Sequence, residues 1–156
     1  MNETISISDY SPNALEAISE IEKECFSEPW SLNALNEFIS SAFNNILVLK
    51  CDNKVAGYIT YTKIFDEIQI ANVAVSPNYR RKGFGFMLVS NLIGKAKSED
   101  VQLITLEVRK SNTAAYLLYE KCGFETVGER KNYYSKPTEN AILMNYTIPL
   151  KGYDNT

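Results

Sequence analysis

The change of hydrophobic period near Gly83 is the feature that most constrains how this chain folds. The segment EIQIANVAV at residues 67–75 alternates, which indicates a β-strand, whereas the apolar residues of 86–93 recur at helical spacing. After them, LITLEV at 103–108 is apolar at nearly every position, which predicts a strand covered on both faces. Strand, helix and strand in this order predict a βαβ crossover with parallel strands.

The segments before this unit predict two helices and an antiparallel meander. ISIS at 5–8 indicates a short strand, and Ser11 before Pro12 is typical of a helix start, with the helix running to about Phe26. Ser31 is placed to cap a second helix. The segments ILVLK and KVAGYITYTKI flank a short polar turn at 51–53, which predicts a hairpin.

The segments after the unit predict one more helix and two strands. Ser111 is expected to cap the helix, and Gly123 is expected to end it in a left-handed conformation. FETVGERKNYY and ENAILMNYTI predict the last strands. The order βααβββαβαββ predicts a mixed α/β fold with a mainly antiparallel sheet flanked by helices, in a single domain over 1–156.

Composition narrows the chemistry. The chain has no histidine and an odd number of cysteines without CxxC spacing, so it offers poor material for a zinc site, a Ser-His-Asp triad or a Cys-His dyad, and we expect no metal. It shows no apolar run near the ~20 residues of a membrane span and no signal-peptide core, which predicts a soluble, cytoplasmic protein without a membrane partner. A net charge of −3 argues against nucleic-acid binding and is compatible with a cationic amine substrate.

The loop between the strand and the helix of the βαβ unit combines cations with glycines. Arg80, Arg81 and Lys82 precede Gly83 and Gly85. The first amides of a helix are free to bind an anion, and glycines let a phosphate approach the backbone closely. The alternative is a solvated basic loop, because neither the G-K-[ST] of a P-loop nor the third glycine of a dinucleotide fingerprint is present.

Residues 72–85, with R-x-x-G-x-G at Arg80, Gly83 and Gly85, resemble the acetyl-coenzyme A loop of the GNAT superfamily of N-acetyltransferases. The resemblance extends over nearly the whole chain and implies the GNAT fold and acetyl-CoA as co-substrate. It implies that the loop amides hold the pyrophosphate and that the preceding strand pairs with the pantetheine arm. The implied cofactor-binding residues are Val73, Ala74, Val75, Arg80, Arg81, Lys82, Gly83, Phe84, Gly85, Asn112 and Tyr119.

Three further stretches resemble the RimI-type enzymes, which acetylate the N-terminal alanine of a small-subunit ribosomal protein. They are EPWS at 28–31, LEVRKSNTAAYLLYEKCGF at 106–124 and RKNYY at 130–134. This resemblance implies that Trp30, Tyr133 and Tyr134 bind the acceptor. Each also has an ordinary interpretation: Trp30 as a buried aromatic sealing a turn, and the tyrosines as alternating strand residues.

The same resemblance implies Glu107 as the base and Tyr119 as the acid. With an ordinary pKa of about 4.3, Glu107 needs burial or a relaying water to accept the amine's proton, whereas a phenol with a pKa near 10 stays protonated and can donate to a thiolate. The alternatives are an ion pair of Glu107 with Arg109 and a packing role for Tyr119. Cys122 is interpreted as packing, so direct transfer without an acyl-enzyme is expected.

Other acceptors and other classes of protein stay open. The fold also suits a small amine such as a polyamine or an aminoglycoside, for which Asp66 and Glu67 are candidate acidic groups. A peptide acceptor needs a groove with backbone partners, which residues 130–138 can supply. A non-catalytic acyl-CoA-binding or RNA-binding module is the remaining possibility; Glu107 with Tyr119 argues against the first and the net charge against the second.

Overall fold

A computed structural model of the chain describes residues 2–149. The helices are α1 (Leu15–Cys25), α2 (Leu32–Ser40), α3 (Phe84–Ser98) and α4 (Thr113–Lys121). The strands are β1 (Ile5–Asp9), β2 (Asn44–Cys51), β3 (Lys54–Ile64), β4 (Glu67–Val75), β5 (Leu103–Arg109), β6 (Glu125–Tyr134) and β7 (Glu139–Thr147). They form one sheet in the order β1-β2-β3-β4-β5-β7-β6. The predicted element order and mixed α/β class are confirmed; the domain boundary stays a prediction, because residues 1 and 150–156 lie outside the described part.

The first predicted helix start is confirmed in its position but not in its capping bond. The helical segment begins at Pro12, with Ser11 at the N-cap position, as a 3-10 turn (Pro12–Ala14) that leads into α1; the Ser11 hydroxyl makes no cap hydrogen bond and donates to Asn13 Oδ1 at 2.5 Å. The predicted cap of α4 is wrong: Asn112 caps this helix, with its Oδ1 accepting from the Ala115 N–H at 3.1 Å, and Ser111 lies one residue earlier, where its amide donates to the Glu139 carboxylate of β7. The prediction for Ser31 is confirmed, since its hydroxyl accepts from the third amide of α2.

Helices cover the two faces of the sheet unequally. On β2, Ile46 and Val48 pack under α1 and α2, whereas Leu47 and Leu49 belong to the core beneath α3. Helices α1 and α2 lie over β2, β3 and β4. The expectation that β5 is covered on both faces is therefore wrong: alternate residues of β5 are buried on the α3 side, and the other face, which carries Glu107, is only half-buried.

The parallel strands β4 and β5 pair over a short distance and then separate. Only residues 67–69 of β4 are in register with 103–105 of β5, whereas β4 stays paired with β3 as far as Val75. The ladder to β3 skips Ala71, so a bulge interrupts β4 where it leaves β5. Because one extra residue reverses the alternation, Ile70 faces α3 while Ala74 faces α1. The separation opens a cleft between the two strands, here called the β4–β5 cleft.

Candidate functional site

The β4–β5 cleft brings together side chains from both faces of the sheet. Glu107 projects from the half-buried face of β5, where its Oε2 lies 3.5 Å from Gln69 Nε2 of β4. Tyr119 belongs to α4 and to the core on the opposite face. Tyr134 lies in electrostatic reach of both, because the Glu107 carboxylate contributes to raising the pKa of Tyr134, and Tyr134 contributes to raising that of Tyr119. The two predicted catalytic residues and one predicted acceptor residue therefore share one neighbourhood.

Glu107 does not form the ion pair with Arg109 that was its alternative interpretation. Arg109 Nη1 pairs with Glu139 Oε1 at 3.2 Å, and the same guanidinium donates to the carbonyls of Pro137 at 3.1 Å and Ser135 at 2.9 Å. Within residues 2–149, the only hydrogen-bond partner of the Glu107 carboxylate is Gln69. The carboxylate is thus left without a neutralising cation in that part of the chain.

Tyr119 is buried, with 7% of its surface exposed, and its ring lies 5.8 Å from that of Phe124. Burial raises the pKa of its phenol, and the nearby groups of Tyr134 and Cys122 raise it further, so the hydroxyl keeps its proton at neutral and mildly alkaline pH. No residue in 2–149 forms a hydrogen bond with this hydroxyl. A buried hydroxyl without a protein partner is costly, which favours a ligand that accepts its hydrogen bond.

The predicted acceptor residues lie at the end of β6 and in the loop between α1 and α2. The Tyr134 ring is stacked on Arg109, with the guanidinium carbon 4.5 Å from its centre, and Tyr133 meets it edge-on at 5.0 Å. Burial, followed by the charge of Glu107, raises the pKa of Tyr134 to about 12. Trp30 is half-buried in the loop of residues 26–31 between α1 and α2, here called the α1–α2 loop, 5.2 Å from the ring of Phe38.

Side chains at the ends of the two loops join them. Ser135 donates to Glu28 Oε1 at 3.2 Å, and Ser27 donates to the carbonyl of Lys136 at 3.4 Å. The α1–α2 loop and the β6–β7 loop (135–138) therefore flank the same side of the cleft.

The residues of the basic loop before α3 (80–83) differ in their contacts and exposure. Gly83 caps α3 at φ +78°, and a Cβ there would meet no atom within 4 Å. Arg80 lies beneath the end of β4, with Nε 3.3 Å from the Val75 carbonyl and Nη2 3.4 Å from Cys25 Sγ. Lys82 forms an ion pair with Glu3, which raises its pKa. Arg81 is exposed with φ +67°.

The remaining cofactor candidates lie on β4, at the start of α3 and at the start of α4. Val73 and Val75 are half-buried on the α3 side of β4, and Ala74 is buried on the α1 side. Phe84 is buried in the core at the start of α3, and a Cβ on Gly85 would lie 3.1 Å from Leu118 of α4. Asn112 caps α4. Glycine at 85 thus has a packing reason in addition to any contact with a ligand.

Two residues at this site were missed by sequence reasoning. Arg109 was considered only as a partner for Glu107, whereas the structure makes it the anchor of the β6–β7 loop. Glu22 is 1% exposed and contacts Trp30, Tyr58 and Asn72. Its sequence position carries a signal, since it lies four residues after Ile18 and three before Cys25, on the apolar stripe of α1.

No group of three His, Cys, Asp or Glu side chains within 2–149 is arranged to hold a metal ion. In the same part of the chain, no helix has the length and apolar character needed to cross a membrane.

Comparison with known proteins shows the family of this chain. The model of the acetyltransferase (GNAT) family matches residues 15–124. The ribosomal protein bS18-alanine N-acetyltransferase of Haemophilus influenzae is 39% identical over 132 residues, which are 83% of this chain and 89% of that one. The Escherichia coli K12 enzyme of the same name is 34% identical over 149 residues, covering 93% and 99% of the two chains.

Solved structures give the same result. The crystal structure of the ribosomal-protein-S18-alanine N-acetyltransferase from Escherichia coli superimposes with a TM-score of 0.89 at 32% identity, covering 98% of this chain and 99% of that one. Ard1 from Thermoplasma volcanium follows with a TM-score of 0.85 at 25% identity, covering 93% and 98%. The resemblances to the superfamily and to the RimI-type enzymes are confirmed. The chain belongs to the GNAT family and is an N-acetyltransferase.

Proposed function

We propose that this enzyme transfers an acetyl group from acetyl-CoA to the α-amine of an N-terminal alanine on ribosomal protein bS18. The observation that carries the proposal is the β4–β5 cleft, where Glu107 and the buried Tyr119 hydroxyl approach from opposite faces of the sheet. The names of the relatives supply the acceptor, since those enzymes act on the alanine of bS18.

The chain's own residues fit acetyl-CoA. Gly83 has open space where a Cβ would lie, ahead of the free amides of α3, which suits a pyrophosphate. The separation of β4 from β5 frees one edge of β4 near Val73 and Val75 for the pantetheine arm. Tyr119 offers a hydroxyl that forms no hydrogen bond with any residue of 2–149. Arg80 and Arg81 are exposed in the basic loop and can neutralise the phosphates. Lys82 can do so only if its ion pair with Glu3 breaks.

When bound, acetyl-CoA supplies the acetyl group as an activated thioester. Glu107, directly or through water, accepts a proton from the attacking amine, and because no cation of the described chain pairs with it, the carboxylate is available for this purpose. On the opposite face, Tyr119 keeps its proton because burial raises its pKa, so it can donate that proton to the leaving sulfur. The amine nitrogen attacks the thioester carbonyl directly, so a C–N bond forms as the C–S bond breaks, one proton leaves the amine and one reaches the sulfur, with no acyl-enzyme between.

An N-terminal acceptor suits this pair of groups better than lysine does. An α-amine has a pKa of about 7.7–8.0 and lysine about 10.4, so near neutral pH a much larger share of the α-amine is already neutral. The α1–α2 loop and the β6–β7 loop flank the Glu107 side of the cleft, which suits an extended peptide. Asp66 and Glu67, the candidate groups for a polyamine, lie at the end of β4 opposite Val75 and the basic loop.

A competition assay tests the acceptor. Peptides with a free N-terminal alanine should be acetylated in preference to the same peptides with a blocked N-terminus and a free lysine, and in preference to spermidine or an aminoglycoside. Mass spectrometry locates the acetyl group. Acetylation confined to lysine side chains, or faster turnover of a small amine, would contradict the proposal.

A further inference from the structure

Glu22 is the most deeply buried acidic side chain near the site, and the proposed mechanism leaves it without a role. It lies on α1 with 1% of its surface exposed. A buried carboxylate is costly unless hydrogen bonds replace its hydration, so its partners indicate what it holds in place.

Three donors from three different elements converge on this carboxylate. Oε1 accepts from the Tyr58 hydroxyl of β3 at 2.5 Å and from Asn72 Nδ2 of β4 at 3.3 Å. Oε2 accepts from the backbone N–H of Trp30 in the α1–α2 loop at 3.0 Å. Burial and the Glu22 carboxylate both raise the pKa of Tyr58, so its phenol remains a donor. Only a carboxylate offers acceptors at both ends to such a set.

Each donor has a position that matters for the cleft. Trp30 immediately precedes Ser31, the N-cap of α2, so its N–H fixes the end of the α1–α2 loop. Asn72 follows the β4 bulge, which turns its side chain toward α1 rather than α3. Its own N–H donates to Thr60 Oγ1 at 3.0 Å, which fastens the strand where it leaves β5.

We propose that Glu22 is a positioning residue that fixes the α1–α2 loop against β3 and β4 and thereby sets the acceptor wall of the β4–β5 cleft. The opposite end of this loop faces the β6–β7 loop through Glu28 and Ser135. Movement of Trp30 would therefore displace the wall that faces Tyr134. The acceptor side of this inference rests on the proposed function; the fixing of the loop does not.

The test uses Glu22→Gln, with Glu24→Gln as a matched control on the exposed side of the same helix. Glutamine keeps the size of the side chain but turns an NH2 group toward a donor, so one of the three contacts is lost. Trp30 is the only tryptophan of the chain, so acrylamide quenching of its fluorescence reports the loop in the free enzyme. We expect quenching to increase about twofold, as the loop loosens.

Steady-state kinetics supply the second measurement. The KM for an alanine-starting peptide should rise about tenfold in Glu22→Gln, with acetyl-CoA affinity within about twofold of wild type. Unchanged quenching and KM in the folded variant would overturn the proposal. So would a lower melting temperature with equal losses for both substrates, because a merely structural role predicts that result.

A second variant and the fluorescence measurement in the free enzyme cover the two cases in which the kinetics of Glu22→Gln cannot be measured. If Glu22→Gln does not fold, Tyr58→Phe removes one donor and should shift quenching and peptide KM in the same direction by a smaller amount; no shift would overturn the proposal. If the wild-type enzyme fails to acetylate the peptide, the proposed function is wrong, and quenching in the free enzyme still decides whether Glu22 holds the loop.

Discussion

The proposed acid and base reach the cleft from opposite faces of one sheet, which is possible only where two strands separate. Tyr119 comes from the core under α3 and α4, and Glu107 comes from the half-buried face of β5. The surroundings differ accordingly. Tyr119 is buried and keeps its proton, whereas Glu107 is partly exposed and contacts the amide of Gln69. Each residue thus lies in an environment suited to the role assigned to it.

Replacement of Tyr119 by Phe should lower kcat by about 10²- to 10⁴-fold, because it removes the proton donor and keeps the ring in the core. Acetyl-CoA affinity, measured by calorimetry, should change far less than turnover. Tyr116→Phe on the same helix is the control, since its hydroxyl contacts Thr126 on the exposed side. Near wild-type turnover in a folded Tyr119→Phe enzyme would remove this residue from the mechanism.

Replacement of Glu107 by Gln should reduce kcat/KM most at low pH, where the amine is protonated, and the rate should recover in part as pH rises. The measurement is kcat/KM from about pH 6 to 9.5, across the ordinary pKa of an α-amine. Glu125→Gln, an exposed position on β6, controls for the change in charge. A profile of unchanged shape together with a lower melting temperature would indicate a structural role instead.

At the scale of elements, substitutions at two glycines of α3 can distinguish an effect on cofactor binding from an effect on the stability of the helix. Gly83 has φ +78° and faces open space, so Gly83→Val should strain the loop and obstruct the phosphates. We expect acetyl-CoA affinity to fall at least about tenfold, or about 1.4 kcal/mol. Gly94→Ala is the control, because a Cβ there also meets no atom within 4 Å and the position is inside α3. Equal affinities in the two variants would contradict the cofactor assignment.

The β6–β7 loop depends on Arg109 for its position. Three hydrogen-bonding partners and a stacked tyrosine surround this guanidinium, and lysine reproduces neither the fork of donors nor the stacking. Arg109→Lys should therefore raise the peptide KM about tenfold, with acetyl-CoA affinity unchanged. Lys110→Met, which removes an exposed ion pair with Glu129, is the control. An unchanged peptide KM would show that the loop keeps its position without Arg109.

At the scale of the whole molecule, buried phenols make stability sensitive to alkaline pH. Burial raises the pKa of Tyr58, Tyr119 and Tyr134 above the ordinary value near 10, to about 12 for Tyr134. The unfolded chain therefore loses these protons first, so their contribution to stability is complete below about pH 10 and is lost as pH rises further.

Melting temperature measured between about pH 8 and 11 should show this decline. In Tyr58→Phe, the melting temperature should fall less steeply with pH above about pH 10 than in wild type, because one phenol with a raised pKa has been removed. Tyr133→Phe removes an exposed phenol and serves as the control. Identical slopes in wild type and Tyr58→Phe would show that the buried phenol does not govern the alkaline limit.

The sequence by itself determined the order of elements, the strand–loop–helix junction at Gly83 and the identity of the family. These depend on local periods, on turn chemistry and on short motifs, all of which are properties of neighbouring residues. The error at the start of α4 was not local: Asn112 rather than Ser111 caps this helix, and the amide of Ser111 donates instead to Glu139 of a distant strand.

Only the tertiary structure decided how the site is held together. The bulge at Ala71 reverses the alternation of β4, and β5 leaves β4 after three paired residues, which opens the cleft between these two strands. Arg109 turns from Glu107 to the β6–β7 loop, and Glu22 joins α1 to Trp30 and Asn72. These contacts join residues far apart in the chain, and no local period specifies them, because they arise when helices and strands pack.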